Sequence, residues 1–271
     1  MKVTFIGGGN MAAAMIGGML ARGFAAADIR AVDVAEAARE RLAKDFGIAT
    51  HATASGCADN SDVVVLAVKP QQMAGVAKQL RLLVGKQLVL TIAAGIRTSD
   101  LCRWLGGYRN IIRAMPNTPA LVQAGITALY ARAEVSQPSR AAAQSLLDAV
   151  GETVWLDDES QLDAVTALSG SGPAYVFYFL EALQEAGRSM GLSASVSRVL
   201  SLQTLLGAAK LAATGGEAPE VLRARVTSQG GTTERAINEM EANAVKQHMV
   251  SAILAAKARS HELGAEFGSV E

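Results

Sequence analysis

The sequence predicts an α/β fold, with a doubly wound parallel sheet in the N-terminal part and an all-α region after it. Two observations carry this prediction. Short apolar runs alternate with helix-like runs up to Asp157, and beyond that residue long Ala- and Leu-rich helical runs replace them with no convincing strand. At 271 residues, the chain has enough material for two domains, each with its own core.

The predicted strands are apolar runs without polar alternation. The run Val63–Ala67 reads Val-Val-Val-Leu-Ala, so both of its faces must be covered, as in a parallel sheet between two layers of helices. A helix over Pro138–Val150 separates the last two strands. The strands are predicted at Lys2–Ile6, Ile29–Asp33, Val63–Ala67, Leu88–Ile92, Asn110–Met115, Gly125–Ala131 and Thr153–Asp157.

Composition excludes several classes of function. Lysine plus arginine and aspartate plus glutamate balance at 25 each, so no net charge attracts nucleic acid or an anionic membrane. No apolar run approaches the ~20 residues that span a bilayer, and Met1-Lys2 leads directly into the first strand without a signal peptide. Cys57 and Cys102 lack metal-like spacing, so we expect incidental thiols, no metal site and a soluble cytoplasmic protein.

A glycine-rich turn follows the first strand and precedes a helix-like run. Gly7, Gly9 and Ala12 form the pattern G-x-G-x-x-A, in which the first glycine permits a tight turn, the second admits a pyrophosphate and the alanine allows close helix packing. The helix N-terminus at Asn10 and Met11 would present its positive dipole end to the phosphates, with Gly8 between the two key glycines. This context predicts a Rossmann-type dinucleotide-binding domain.

Asp33 ends the second predicted strand, where a carboxylate accepts hydrogen bonds from the ribose hydroxyls and repels a 2′-phosphate. This favours NADH. Arg30 and Arg39 are near enough in sequence to bind such a phosphate if Asp33 turns away, so NADPH stays open.

Further strand ends face the same crevice, because ligands bind beyond the carboxyl ends of parallel strands. The predicted cofactor-binding residues there are Ala67, Val68, Lys69, Pro70, Ala93, Ala94, Gly95 and Asn117. Asn117 belongs to the two-proline turn Met115–Pro119; Lys69 could equally be a solvated loop lysine.

The C-terminal region carries two features. Tyr175–Met190 is apolar around almost its whole circumference, so a partner subunit is its natural cover and we expect a homodimer. The break Val226–Thr233 combines hydroxyls with two adjacent glycines, a composition suited to binding a small anion at a helix start. We divide the chain into a dinucleotide-binding domain, 1–160, and an all-helical substrate-binding and dimerisation domain, 161–271.

The chain resembles the pyrroline-5-carboxylate reductases. The family signature matches without a mismatch through Pro219, Leu222, Val226–Ser228, Gly230-Gly231, Thr233, Ala236-Ile237 and Met240-Glu241. The segments Phe5–Ala12, Ala67–Pro70, Ala93–Gly95, Met115–Pro119 and Ser169–Tyr175 match as well, so the resemblance covers essentially the whole chain.

The resemblance implies reduction of 1-pyrroline-5-carboxylate to L-proline by NADPH or NADH. It implies that the substrate is bound by Ser228, Gly230, Gly231, Thr232 and Thr233, with Thr233 at the ring nitrogen as the catalytic position. It also implies dimers through interlocked C-terminal helices, with larger rings of dimers known in the family. Members that prefer NADPH often carry small polar or basic residues at Asp33-Val34, and many have asparagine where Ala54 falls, so the preference is open.

Two other classes compete with the reductase interpretation. Hydroxyacid dehydrogenases of similar layout use a lysine near the start of the large C-terminal helix, and Asp163–Tyr175 contains none. A non-enzymatic dinucleotide-sensing dimer would not need the hydroxyl-rich break.

A protonated cyclic imine needs no strong side-chain acid, which agrees with the absence of an acid–base constellation around His51, His248 and His261 in the sequence.

Overall fold

The structure is a computed structural model that describes residues 1–270. The chain forms two compact units. The first contains Met1–Ser171 and the residues from Ala256 onward, and the second is Gly172–Ala255. The division at residue 160 remains a prediction about domains, whereas the contacts assign the end of the chain to the first unit.

The first unit is built on an eight-stranded sheet in the order β3-β2-β1-β4-β5-β6-β7-β8. Neighbouring strands are parallel except for β6 and β7. The strands are β1 (Val3–Ile6), β2 (Ile29–Val32), β3 (Ala49–His51), β4 (Val63–Leu66), β5 (Leu88–Thr91), β6 (Ile111–Met115), β7 (Gly125–Ala131) and β8 (Gly151–Trp155).

The strand order reverses at β1, which pairs with β2 on one side and β4 on the other. The register aligns Ile6 with Val32 and with Leu66, so three strands end at the same level. A crevice at such a switch point is where doubly wound sheets bind ligands. The predicted α/β fold with a doubly wound N-terminal sheet is confirmed.

Side chains of successive strand residues enter two separate cores. Val63 and Val65 belong to one hydrophobic cluster, and Val64 and Leu66 belong to the other, on the opposite face of the sheet. All four are at most 1% exposed. The absence of polar alternation in this strand therefore reports burial on both faces.

Two strand predictions need correction. β3 was not predicted, because it is a three-residue edge strand whose ends are exposed and which pairs only with β2, so it has no apolar run. β8 begins at Gly151 and ends at Trp155, earlier than the predicted Thr153–Asp157. Its side chains at Glu152 and Val154 are exposed, and beyond Trp155 the Leu156 amide still donates to the Leu129 carbonyl of β7 at 2.8 Å.

The helices of the first unit cover both faces of the sheet. They are α1 (Asn10–Ala21), α2 (Glu36–Phe46), α3 (Met73–Leu80), α4 (Thr98–Trp104), α5 (Gln137–Leu147) and α6 (Gln161–Val165). α5 begins at a side-chain cap, since Ser136 accepts a hydrogen bond from the Ser139 amide. Its predicted continuation to Val150 is a short 3₁₀ turn, Asp148–Val150.

The second unit is entirely helical, as predicted. Its helices are α7 (Gly172–Ser189), α8 (Ala194–Gly215), α9 (Pro219–Arg225), α10 (Thr232–Ala242) and the residues of α11 (Val245–Gly268) up to Ala255. α8 starts at a Ser193 cap and ends at Gly216 in the left-handed region. Phe177 and Tyr178 on α7 are 59% and 77% exposed, so apolar surface of this unit is uncovered in a single chain.

Within residues 1–270, no helix is both long enough and apolar enough to cross a membrane.

Candidate functional site

The turn after β1 is packed so tightly that its first residue must be glycine. Gly7 has φ +102°, and a Cβ there would lie 2.7 Å from the carbonyl oxygen of Ala67. Its amide donates to the Val32 carbonyl at 2.8 Å, while the Ala67 amide donates to the Ile6 carbonyl at 2.8 Å. The turn therefore bridges the ends of β2 and β4, as the predicted role of Gly7 requires.

Gly9 faces open space. A Cβ at this position would meet nothing within 4 Å, and the residue is exposed as the N-cap of α1. No side chain caps this helix start, so its first amides are open to an external acceptor at Asn10 and Met11. A cradle of this shape fits a pyrophosphate, since the backbone can approach the ligand closely.

Asp33 lies beside this turn with both carboxylate oxygens engaged. Oδ2 accepts from the Gly8 amide at 2.7 Å, and Oδ1 accepts from the Ala35 amide at 2.8 Å. Each oxygen retains a lone pair, so the carboxylate can still accept from a ribose hydroxyl. The side chain is half-buried and lines the cleft described next.

A cleft of about 490 Å³ opens at the carboxyl ends of β1 and β2. Apolar side chains including Val68 and Leu80 form much of its wall, and Ala54 lies in the same wall. An apolar slot with one carboxylate at its mouth suits a planar base attached to a ribose.

Two guanidinium groups hold the backbone around Asp33. Nη1 of Arg39 donates to the carbonyls of Asp33 at 2.8 Å and Val34 at 3.0 Å, and Nη2 of Arg41 donates to the Gly8 carbonyl at 2.8 Å. The sequence singled out Arg39 as a phosphate partner but missed Arg41. No local signal identifies Arg41, because its acceptor lies 33 residues away in sequence.

The ends of β4 and β5 form turns at the same edge of the sheet. Lys69 is exposed and extended, and Pro70 opens a 3₁₀ turn after it. Ala93 is 6% exposed, and its amide donates to Thr91 Oγ1 at 3.3 Å. Gly95 has φ +74°, a conformation that favours glycine. These turns lie where sequence analysis placed them, and their cofactor contacts remain predictions.

Asn117 makes structural hydrogen bonds within its turn. Its Oδ1 accepts from the Ile126 amide at 3.0 Å, and the side chain is 9% exposed. The amide oxygen thus joins the turn after β6 to the start of β7. Its proposed cofactor contact could use the Nδ2 group or the second lone pair of Oδ1.

The segment before α7 is a π turn, Thr166–Gly170, in which the Ser171 amide donates to the Thr166 carbonyl at 2.8 Å. Gly170 lies against the end of the Met115 side chain, so that a Cβ at this position would lie 2.5 Å from Cε of Met115 and the methionine would have to move. Ser171 does not cap a free helix start, because its backbone is helical and continues from α6 through the π turn.

In the second unit, the break between α9 and α10 forms a tight polar turn. Gly230 has φ +71°, and the Gly231 amide donates to the Ser228 carbonyl at 3.0 Å. α10 begins at Thr232 with Gly231 as its N-cap and no side-chain cap. The first amides of α10 and the exposed Ser228 side chain therefore surround one helix start.

Glu234 is a residue of this turn that the sequence analysis missed. Its Oε2 accepts from the Gly230 amide at 2.8 Å. A glutamate at the third position of a helix commonly reaches back to the residues before the helix, so the spacing from Gly231 could have predicted it. The contact holds Gly230 in its left-handed conformation.

The histidines do not form an acid–base relay. His261 Nδ1 lies 3.3 Å from Asp163 Oδ2, and Ser260 Oγ donates to Asp163 Oδ1 at 2.8 Å. The two side chains bond the same carboxylate and do not bond each other, unlike a catalytic triad. Across residues 1–270, no cluster of three His, Cys, Asp or Glu side chains is arranged for a metal.

Cys57 is buried at 3% exposure, and burial raises the pKa of its thiol. A thiol held in its neutral form is a poor nucleophile.

Comparison with known proteins identifies two matched regions. Residues 159–263 match the family model described as pyrroline-5-carboxylate reductase dimerisation, and residues 2–95 match that of NADP oxidoreductase, coenzyme F420-dependent. The pyrroline-5-carboxylate reductase of Pseudomonas aeruginosa is 47% identical over 268 residues, covering 98% of each chain.

Solved structures agree with this. The pyrroline-5-carboxylate reductase of Coxiella burnetii is 40% identical with a TM-score of 0.90, over 97% of this chain and 98% of that one. The enzyme of Plasmodium falciparum, solved with NADP bound, is 26% identical with a TM-score of 0.89 over the same shares.

Proposed function

Because this chain belongs to the pyrroline-5-carboxylate reductase family, we propose a division of roles between the two polar turns described above. The chain reduces the C=N bond of 1-pyrroline-5-carboxylate to give L-proline, with NAD(P)H as the reductant, in proline biosynthesis. In this proposal, the crevice at the end of the sheet holds the dinucleotide and the turn before α10 holds the substrate carboxylate.

The fit of the crevice to a dinucleotide rests on the geometry around Gly7 and Gly9. A side chain at Gly7 would fill the turn, whereas the space next to Gly9 is open. The first amides of α1 have no side-chain cap. These groups would bind the pyrophosphate, and Asp33 would bind the ribose. The further proposed contacts are from Gly8, Asn10, Met11, Ala67, Val68, Lys69, Pro70, Ala93, Ala94, Gly95 and Asn117.

The substrate turn suits a carboxylate because its donors converge at one helix start. Ser228 would donate its hydroxyl and Thr232 its amide, and Gly231 would share with the carboxylate an amide that also donates to the Ser228 carbonyl at 3.0 Å, while the left-handed Gly230 gives the turn its shape. Thr233, one residue into the helix and half-buried, would address the ring nitrogen. The single observation that carries this assignment is the uncapped start of α10 beside the free serine hydroxyl.

For this reaction the protein has to orient the reactants and exclude water from them. When bound, the reduced nicotinamide supplies the hydride that attacks the C=N carbon. A ring nitrogen protonated from water becomes a neutral amine, so the chain does not have to supply a strong acid. Thr233 would hold the proton-bearing nitrogen in position through its hydroxyl.

Asp33 favours NADH over NADPH in this proposal. Its carboxylate lines the cleft and already occupies the Ala35 amide, a backbone donor that a 2′-phosphate could otherwise use. A phosphate would also approach the negative charge of Asp33. Arg39 could favour NADPH by binding a 2′-phosphate, but its Nη1 is bonded to the carbonyls of Asp33 and Val34.

The dimerisation region indicates that the chain self-associates. We propose a homodimer in which a second copy covers the groove between α7 and α11. That groove, of about 500 Å³, is lined by residues including Tyr178, Phe179, Met249 and Ile253. Assembly into a larger ring and a cytoplasmic location remain predictions from the sequence.

The test of this function is a steady-state assay of purified protein with 1-pyrroline-5-carboxylate, comparing NADH with NADPH. We expect absorbance of the reduced dinucleotide to fall only when the cyclic imine is present. A small hydroxyacid with the oxidised dinucleotide serves as the comparison. Turnover of the hydroxyacid without turnover of the imine would support the dehydrogenase class in its place.

A further inference from the structure

The end of the last helix packs on the turn that follows β5. Ser260, Gly264 and Phe267 lie on one face of α11, at spacings of four and three residues. Ser260 is 4% exposed, Gly264 is buried and Phe267 is half-buried within the cluster that contains Ile96 and Leu101. All of these residues belong to the first compact unit.

Phe267 covers Gly95 directly. A Cβ added at Gly95 would lie 3.0 Å from Cδ2 and 3.2 Å from Cε2 of the Phe267 ring, and 3.6 Å from the amide nitrogen of Gly264. Gly95 has φ +74°, so the turn depends on a residue with unusual backbone freedom. The aromatic ring therefore occupies the space into which this glycine could otherwise move.

The helix end is anchored on both sides of Phe267. Ser260 Oγ donates to Asp163 Oδ1 at 2.8 Å, and the indole Nε1 of Trp104 donates to the Val270 carbonyl at 2.9 Å. Trp104 is 4% exposed, whereas Val270 is exposed, so that bond is partly buried. The ring is held over the turn by contacts that do not involve the turn itself.

The other end of the turn is fixed independently. Glu159 accepts from the Thr98 amide at 2.7 Å and from its hydroxyl at 2.6 Å, and it also bonds Nη1 of Arg113 at 3.2 Å. Arg113 is 4% exposed. Thr98 is restrained in this way and Ile96 is fully buried, and Gly95 is the residue of the segment with a positive φ.

We propose that Phe267 is a positioning residue that holds the Ala93–Gly95 turn in the conformation that binds the dinucleotide. This rests on the proposed function, in which that turn contacts the cofactor. Without the ring, Gly95 would sample other conformations, and binding would have to restrict it. Restricting a released backbone on binding has an entropic cost, and we expect it to raise the Kd about fivefold, which corresponds to about 1 kcal/mol.

The test compares Phe267→Ala with Trp155→Phe in the full-length chain, because Trp155→Phe removes an indole bond to Gln144 Oε1 (3.1 Å) in the other hydrophobic cluster. The dinucleotide Kd is measured by fluorescence titration with NADH and with NADPH, and the Tm of each variant is recorded. We expect both substitutions to lower the Tm and only Phe267→Ala to raise the Kd, about fivefold. Its KM for the imine should stay within about twofold of the unmodified chain, since the substrate turn is elsewhere in the sequence.

Phe267→Leu keeps apolar bulk and should restore most of the affinity. If Phe267→Ala does not fold, Phe267→Val takes its place and should raise the Kd by a smaller factor. The proposal is overturned if Trp155→Phe raises the Kd as much as Phe267→Ala, or if neither Phe267→Ala nor Phe267→Val raises it. A failure of the proposed function is distinct, because the unmodified chain would then bind dinucleotide without reducing the imine.

Discussion

Gly7 and Gly9 are both glycines of one turn, yet the structure requires them for different reasons. Gly7 is enclosed by the Ala67 carbonyl and has a positive φ, whereas Gly9 has open space where a side chain would be. The first glycine is needed for the fold of the turn. The second is needed only if a ligand approaches the backbone.

This difference gives a paired prediction. Gly7→Ala should lower the free energy of unfolding by about 2 kcal/mol or more, because it forces a strained φ and a steric overlap. Gly9→Ala should leave the Tm within the error of the measurement and raise the dinucleotide Kd at least about tenfold. Thermal melts and titrations distinguish the two. An unchanged Kd for Gly9→Ala would contradict the assignment of the pyrophosphate to this turn.

Asp33→Ser tests the choice of dinucleotide. Removing the carboxylate removes its repulsion of a 2′-phosphate, and serine offers a hydroxyl donor in its place. We expect the ratio of kcat/KM for NADPH to that for NADH to rise about tenfold, which corresponds to about 1.4 kcal/mol. Asp45→Ser, an exposed aspartate on α2, is the matched control. An unchanged ratio would show that Asp33 does not select the cofactor.

Thr233→Ala tests the proposed contact with the ring nitrogen. We expect kcat/KM for the imine to fall about tenfold or more, because one orienting hydrogen bond is lost at the reacting group. The dinucleotide Kd should be unchanged. Thr214→Ala, which removes a threonine hydroxyl bonded to the Lys210 carbonyl in α8, is the control. Equal losses in the two variants would indicate a general effect on the helical region.

At the scale of the elements, one buried ion pair joins three parts of the first unit. Arg113 lies on β6, Thr98 starts α4, and Glu159 lies in the connection after β8 and bonds both. Removing only the Glu159 carboxylate leaves the Arg113 guanidinium without this charged partner and almost without contact with solvent. A buried charge that loses its partner is strongly destabilising.

Glu159→Ala should therefore lower the free energy of unfolding by about 2 kcal/mol, less than for a fully buried pair because Glu159 is 21% exposed. The double variant Arg113→Met with Glu159→Ala should recover part of that loss, since it removes the unpaired charge. Urea denaturation of the single and double variants makes the comparison. If the loss of unfolding free energy in the double variant equals the sum of the losses in the two single variants, Arg113 and Glu159 are not coupled.

At the scale of the whole molecule, the exposed apolar surface of the second unit is explained by self-association. Phe179 is 41% exposed and lines the groove between α7 and α11, together with Met249 at 50%. Burying the exposed half of such side chains contributes about 1 kcal/mol each, roughly half of the value for complete burial. A stable monomer would leave them in water.

Phe179→Glu should therefore shift the chain toward monomer and remove the dependence of Tm on protein concentration. Leu82→Glu is the matched control, because Leu82 is 91% exposed in the first unit and should not affect assembly. Light scattering of both variants gives the mass. A stable monomer for the unmodified chain would contradict the dimer, and a mass of several dimers would support the ring.

Periodicity and local spacing were sufficient to predict the α/β fold, the helical second part, the glycine turn and the break before α10. Each depends on residues close in sequence: the apolar runs need cover on both faces, and the order glycine–glycine–threonine marks a helix start. Edge strand β3 was not predicted because its three residues, of which Ala49 and His51 are exposed, carry no such pattern.

Only the tertiary structure decided which distant residues meet. It placed Gly8 on Asp33, Arg41 on Gly8, Glu159 on Thr98 and Phe267 over Gly95, across separations that leave no periodic trace in the sequence. The physical reason is that such contacts depend on strand order and on where the last helix returns to the sheet. Composition and spacing name the residues capable of these contacts, and packing selects among them.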